Sequence, residues 1–259
     1  MSADICFSVI SHGHGPLLDR LLCQLNSQPQ LKGIKIIATL NLFDEIFDET
    51  RYENLNLLII RNHTPKGFGA NHNTAFKHCT SRWFGILNPD LVLVDNEPFT
   101  QMIDRVEHSH EADSSKIALI APRVVANDLS FEDSVRENLT PWSLARRILG
   151  RRQPLCVNED AQRGSPFYWL AGMCLLVRAE AFKTINGFDE RFFLYCEDYD
   201  LCARLYNAGG ILRLDQQAQI IHEAQRDSHR SRRHLTMHLT SLFKVWSSSA
   251  FWRITLKLH

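Results

Sequence analysis

No stretch of the 259-residue sequence approaches the ~20 consecutive apolar residues that a membrane-spanning helix needs, so any contact with a bilayer is expected to be peripheral. The opening MSADICFSVI has no charged segment ahead of a long apolar run, so no signal peptide is expected. Excess charge is missing too. The 29 Lys and Arg balance 29 Asp and Glu, and no global field points to nucleic acid. The seven cysteines, at 6, 23, 79, 156, 174, 196 and 202, are odd in number and form no CxxC pair. That excludes a disulfide framework and a structural zinc site, and buried reduced thiols of a cytosolic protein are expected instead. Internal repeats and low-complexity segments are also lacking.

What is present is enough for one large domain, or for one domain with a small appendage, at 44% hydrophobic residues over this length. Strand-like runs occur at 5–10 (ICFSVI), 34–40, 56–61, 83–87 and 117–122. Helical patterns fall between them. Pro16 opens the first, with Leu17, Leu18, Leu21, Leu22 and Leu25 at helical spacing. Others are expected at 69–79 and 97–109, and LVLV (91–94) either extends the fourth strand or starts another. This alternation predicts an α/β fold around a parallel sheet, with ligands at the carboxyl ends of its strands. SHGHG, the Asn41 region and NPD (88–90) all lie at such ends.

Residues 126–165 are polar and basic and read as a mobile insertion with a short amphipathic helix near 143–154. FYWLAGMCLLVR (167–178) then reads as one strand, followed by a helical turn in AEAF. ILRL (211–214) and AQIIHE (218–223) read as two short strands, and 234–246 as a helix. Bases cluster at 146–152 and 226–233. In the helix 234–246 the apolar stripe of Leu235, Leu239, Leu242, Phe243 and Trp246 reads as core packing. The tail SSSAFWRITLKLH mixes aromatic and basic residues in the manner of an interfacial helix.

The stretch FFLYCEDYDLCARLYNAGG (192–210) sets Glu197, Asp198 and Asp200 between aromatic residues and a short helix. Two readings stand side by side. The acids cap the helix and complement its dipole. Alternatively, Asp198, half buried against Phe192, Phe193 and Tyr195, is a general base. Asp200 lies one turn before Arg204 and can pair with it. Asp90 of LNPD is either a turn residue or a cation-holding carboxylate. GFGANHN (67–73) allows close backbone approach to a phosphate, but His72 spoils a dinucleotide fingerprint and argues against an oxidoreductase. His222, ending a strand, is a surface residue or a metal ligand.

The order of FSVISHGHG, KGFGANHNTAF, LNPDLVL, WLAGMCLLVRAEAF, NGFDERFFLYCEDYDLCARLYNAG and IIHEAQRDSHRS resembles glycosyltransferase family two, inverting enzymes of the Rossmann-like GT-A fold. SHGHG with YCEDYDLC is most similar to bacterial O-antigen rhamnosyltransferases. The resemblance implies a mostly parallel sheet with flanking helices in a domain over 1–225, followed by a basic helical extension over 226–259. Within the domain it implies a nucleotide-binding half (1–125), the insertion (126–165) and an acceptor half (166–225). It implies transfer of L-rhamnose from dTDP-L-rhamnose to a polyprenyl-diphosphate-linked GlcNAc at the cytoplasmic face of the inner membrane. Asp198 would be the base, with Glu197 orienting the acceptor. Ser11, Asn41, Gly67, Gly69, Asn73, Asn88 and Asp90 would contact the nucleotide sugar. Trp169, Phe193, Tyr195 and Asp200 would contact the acceptor. Asp90 and His222 would hold Mg²⁺ or Mn²⁺. Asn88 replaces the first acid of the family's metal element, and Leu40 replaces a nucleotide-contacting Asp. A transferase with another donor, such as a UDP-hexose, and a catalytically inactive scaffold are the alternatives.

Overall fold

The structure is a computed structural model that describes residues 4–52, 55–95, 97–109, 111–149, 155, 157–158, 160–223 and 232–257. Strand β1 (Ile5–Ser11) is buried on both faces, which a central strand of a helix-covered sheet requires. Helix α1 (Gly15–Asn26) follows, with proline in its first turn and Leu18, Leu21, Leu22 and Leu25 on its buried side. Strands β2 (Lys35–Leu40) and β3 (Asn56–Arg61) extend the sheet in parallel from β1. Helix α2 (Phe68–Phe76) leads to β4 (Trp83–Leu87), parallel to β1 on its other side.

Beyond β4 come β5 (Leu91–Leu93), α3 (Pro98–Glu107) and β6 (Ile117–Val125), then β7 (Val135–Glu137) and α4 (Pro141–Ile148). The second half holds β8 (Tyr168–Leu170), β9 (Cys174–Arg178), α5 (Ala179–Thr184), α6 (Glu197–Asn207) and β10 (Ile211–His222). Helices α7 (Arg232–Trp246) and α8 (Ser249–Thr255) follow. The main sheet runs β3-β2-β1-β4-β9-β6-β10-β5, with β9 and β5 antiparallel to their neighbours. One core packs α1 and α3 on one face through residues such as Leu22, Phe99 and Met102. A second core packs α5, α6 and α8 on the other through Phe182, Tyr199 and Phe251. The mostly parallel α/β sheet with flanking helices is therefore the fold the alternation predicted.

Three local expectations change, and one left open is decided. Residues 167–178 form two strands, because Ala171–Met173 turns tightly (Met173 N–H to Ala171 O, 2.8 Å) and sends β8 to β7, out of the main sheet. Residues 211–223 form one strand, not two. The Asp215 carboxylate accepts the Gln217 and Ala218 N–H groups, and the polar DQQ becomes a bulge within a continuing ladder. The described parts of 126–165 are woven into the fold. They contribute β7, a Thr140-capped α4 and a backbone bridge from Ala161 to Leu212. LVL is a strand of its own, antiparallel to β10.

The C-terminal expectations trade places. Phe251 and Ile254 of α8 are buried while Trp252 and Leu256 stay exposed; in α7 Leu235, Leu239 and Phe243 are exposed, and Leu242, Val245 and the partly buried Trp246 pack into the core. The basic residues Arg151, Arg152, Arg226 and Arg230 lie outside the described residues.

A methyl group at Gly85 of β4 would meet the Phe7 ring of the neighbouring strand. Gly85→Ala is expected to cost about 1–3 kcal/mol through this overpacking, read as a lower urea midpoint at unchanged m-value.

Candidate active site

Asp198 stands in the first turn of α6. Its Oδ2 accepts the Gly172 N–H at 2.9 Å and its Oδ1 the Tyr199 N–H at 2.9 Å. Gly172 belongs to the turn that splits β8 from β9. In the same turn Met173 O accepts the Asn88 N–H at 2.9 Å, just past the end of β4. The carboxylate of Asp198 and the NPD segment are thus joined through two adjacent residues at the carboxyl end of β4. An added Cβ at Gly172 would lie 3.4 Å from Asp198 Cβ, so this position leaves the acid little slack. The chain enters α6 through two consecutive left-handed residues, Tyr195 (φ 71°) and Cys196 (φ 64°). Non-glycine residues in this region cost of order 1–3 kcal/mol each, and such strain collects at functional sites.

Glu197 and Asp198 are neighbours in different surroundings. Asp198 is half buried and doubly hydrogen-bonded. Glu197 is 6% exposed, and its Oε2 is buried with no hydrogen-bond partner. Burial, and then the adjacent Asp198 charge, push the Glu197 carboxyl up to about 8.

The pairing of β5 with β10 sets His222 opposite Leu91, directly beside Asp90. His222 Nε2 lies 3.3 Å from Asp90 Oδ1, and Nδ1 lies 3.2 Å from Glu132 Oε2. All three side chains are largely shielded, at 12% exposure for His222, 14% for Asp90 and 20% for Glu132. Asp90 Oδ1 is buried and makes no aligned hydrogen bond, so it is a charged oxygen short of a partner. Burial alone would lower the His222 pKa, but the two carboxylates outweigh it and the net direction is up. Among the described residues, no three His, Cys, Asp or Glu side chains converge on one point. A cation here would therefore take Asp90 and His222 and complete its shell from outside the protein.

Several residues expected to touch the nucleotide sugar are engaged within the protein. A Cβ at Gly67 would stand 2.7 Å from Phe193 O, and one at Gly69 would stand 2.6 Å from Phe188 Cβ. The glycines of GFGANHN therefore let α2 approach the 188–193 segment. Asn73 brackets the same segment, donating to Phe188 O (2.9 Å) and accepting from Phe188 N–H (2.8 Å). His72 is fully buried, bonded to Ser8 Oγ at 2.8 Å, and burial lowers its pKa to about 3. Asn41 spends both ends of its amide, donating to Lys66 O and accepting from Asn62 Nδ2 and Lys66 N–H, each at 2.9 Å. The Ser11 hydroxyl and the Gly13 N–H both donate to the Glu45 carboxylate. Asn88 is half buried beside the Asp198 loop.

The acceptor residues divide. Phe193 is 46% exposed, and Tyr195 is half buried with its hydroxyl 2.8 Å from His234 Nδ1, so both border the acids from the surface side. Trp169 is buried instead, donating to Glu137 O at 2.9 Å with the Arg136 guanidinium 5.0 Å from its ring centre. Asp200 is 3% exposed and paired with Arg204 at 2.6 Å, the pairing its spacing allows. Neither is open to a sugar. Sequence reasoning missed Gly172, Glu132 and Glu45. Only Gly172 carried a signal, a glycine between two apolar runs.

Residues 152–226 match the family described as the N-terminal domain of galactosyltransferase. The chain is 29% identical to rhamnosyltransferase WbbL of Escherichia coli K12, over 97% of this chain and 98% of that protein. It is 40% identical to the N-acetylglucosaminyl-diphospho-decaprenol L-rhamnosyltransferase of Mycobacterium tuberculosis over 120 residues, which are 45% of this chain and 36% of that protein. Among solved structures, a Pyrobaculum calidifontis mannosyltransferase in complex with GDP-mannose and Mn²⁺ superposes with a TM-score of 0.63 at 12% identity. That match covers 98% of this chain and 68% of the other. The fold is the GT-A type, and the chain is a glycosyltransferase. It is similar to one bacterial rhamnosyltransferase over nearly its full length and to another over 45% of it.

Asn73→Ala is expected to destabilise the protein by about 1–3 kcal/mol, because it orphans the Phe188 backbone groups. Donor affinity of the folded variant, measured by calorimetry, should stay within about threefold of wild type. Glu197 gives a pH signature. Its carboxyl is raised in the fold, so the native state holds the proton more tightly and stability falls as pH rises from 4.5 towards about 8. Glu197→Gln should flatten that fall, with melting temperatures matching wild type near pH 4.5 and exceeding it at pH 8.

Proposed function

We propose that the protein is an inverting rhamnosyltransferase that moves L-rhamnose from dTDP-L-rhamnose onto a polyprenyl-diphosphate-linked GlcNAc during bacterial surface polysaccharide assembly. The observation that carries this reading is the hydrogen-bonded link from Asp198 through Gly172 and Met173 to Asn88, which joins a candidate base to the carboxyl end of β4. The transferred sugar and the lipid-linked acceptor follow the rhamnosyltransferases to which the chain is similar, and the dTDP carrier follows the family resemblance alone.

Inversion needs an acceptor hydroxyl to attack the anomeric carbon on the face opposite the leaving diphosphate. Such a hydroxyl is a poor nucleophile at neutral pH. Asp198 takes its proton as the new bond forms, an effect typically worth about 10²–10⁴ in rate. The Gly172 and Tyr199 N–H groups hold the carboxylate in one orientation while leaving a lone pair on each oxygen for the incoming proton. Glu197 stays protonated near neutral pH and so adds no second negative charge beside the base. Phe193 and Tyr195 supply apolar surface for the acceptor sugar.

Asp90 and His222 fit a divalent cation of the Mg²⁺ or Mn²⁺ kind. One offers a buried carboxylate oxygen without a hydrogen bond, and the other a ring nitrogen 3.3 Å away. When bound, such an ion stabilises the charge that grows on the departing nucleoside diphosphate. Asn88, beside them, is the neutral member of the NPD element.

No helix among the described residues is long and apolar enough to cross a membrane. A lipid-linked acceptor calls for contact with the cytoplasmic leaflet. We assign that contact to the outer face of α7, where Leu235, Leu239 and Phe243 recur every four residues and stand exposed.

Asp198→Asn should lower product formation about 10²–10⁴-fold with donor binding retained, assayed with a synthetic lipid-diphosphate GlcNAc and a panel of nucleotide sugars. Undiminished turnover would remove Asp198 from the mechanism. Release of nucleoside diphosphate from UDP-hexoses but not from dTDP-L-rhamnose would replace the donor.

A further inference from the structure

We infer that Glu132 is the positioning residue for His222: its carboxylate fixes the imidazole so that Nε2 faces Asp90 and the cation. The inference rests on the cation reading of Asp90 and His222. Glu132 touches neither nucleotide sugar nor ion and acts only through the ring.

The geometry is specific. A histidine offers two nitrogens, and the partner of one decides what the other presents. Here Nδ1 is 3.2 Å from Glu132 Oε2, and Nε2 is 3.3 Å from Asp90 Oδ1. Held at Nδ1 by Glu132, the ring turns Nε2 to the Asp90 carboxylate, so the two side chains offered to the cation face each other. A carboxylate behind a ligating imidazole orients the ring and strengthens it as a donor to the metal.

Backbone structure holds Glu132 in place. The chain leaves β6 and folds straight back, with Ala126 N–H bonded to Ser130 O (2.9 Å), Val125 bridged to Phe131, and Glu132 N–H bonded to Val124 O (3.0 Å). Two residues later Ser134 O accepts the Ala171 N–H at 2.8 Å, and Ala171 adjoins the Gly172 that holds Asp198. One short segment thus fixes the ring at one end and the base-bearing loop at the other.

The test uses the full chain and Mn²⁺ alone, without nucleotide sugar, with affinity read from the electron paramagnetic resonance of free Mn²⁺. Glu132→Ala should bind Mn²⁺ about 10–100-fold more weakly than wild type. Glu132→Gln keeps an oxygen that accepts from Nδ1–H and should stay within about threefold. In the wild-type protein saturated with diamagnetic Mg²⁺, long-range proton–nitrogen spectra should find the His222 ring proton on Nδ1, a readout that needs no variant to fold. If His222→Ala and Asp90→Asn weaken Mn²⁺ binding but Glu132→Ala does not, the inference fails while the cation site stands. If Mn²⁺ binding ignores Asp90 and His222, the cation reading falls and this inference goes with it. A ring proton on Nε2 overturns the inference directly.

Discussion

The site depends on a three-residue turn, Ala171 to Met173, made almost wholly of backbone. It breaks the apolar run of 167–178 into two strands belonging to different sheets. Each of its residues then makes one hydrogen bond to a different part of the molecule. Ala171 donates to Ser134 O, Gly172 donates to Asp198 Oδ2, and Met173 O accepts from Asn88. Backbone groups at fixed positions leave little freedom to whatever they hold. A methyl group at Gly172 would stand in van der Waals contact with Asp198. Sheet geometry and base placement are therefore one constraint rather than two.

A second consequence concerns α2. A glycine-rich opening followed by asparagines suggests a ligand cradle, yet Gly67 and Gly69 are needed for close packing against Phe193 and Phe188, and Asn73 braces the same stretch. That stretch runs into Tyr195 and Cys196, whose left-handed conformations must be held from outside. The polar residues of α2 therefore contribute to the site at one remove. They fix the strand of chain that delivers the acids to the start of α6.

The fold was legible because buried parallel strands are continuous apolar runs and the helices between them carry regular leucine spacing. ICFSVI and the Leu18–Leu25 stripe leave few alternatives. The position of Asp198, half buried at the start of a helix beside aromatic residues, was also legible. The misreadings share a cause. Composition reveals that a residue is polar, not which partner will satisfy it. Asn41, Asn73 and Asp200 look like ligand groups in the sequence, and the fold consumes each one internally. Glu132 lies in a stretch without periodicity, and its partner is 90 residues away, so no local pattern announces it. At the C-terminus the leucine stripe of α7 and the aromatic tail have similar hydrophobicity. Only packing against α6 decides that Phe251 goes inside and Phe243 stays out.

The two adjacent acids show how one motif yields two chemical states. Glu197 and Asp198 sit on consecutive positions of a helix and therefore point about 100° apart. One direction leads into the core, where Glu197 Oε2 has no hydrogen-bond partner and burial favours the neutral form. The other leads to the turn at Gly172, where backbone N–H groups meet both oxygens of Asp198 and one side stays open. The Asp198 charge adds to burial in raising the Glu197 proton affinity, so the two acids remain linked although they point apart. The helix rotation, set by the left-handed pair at 195–196, separates them. Strain at those two residues thus has a structural consequence: it accompanies the orientation that buries Glu197 and turns Asp198 to Gly172.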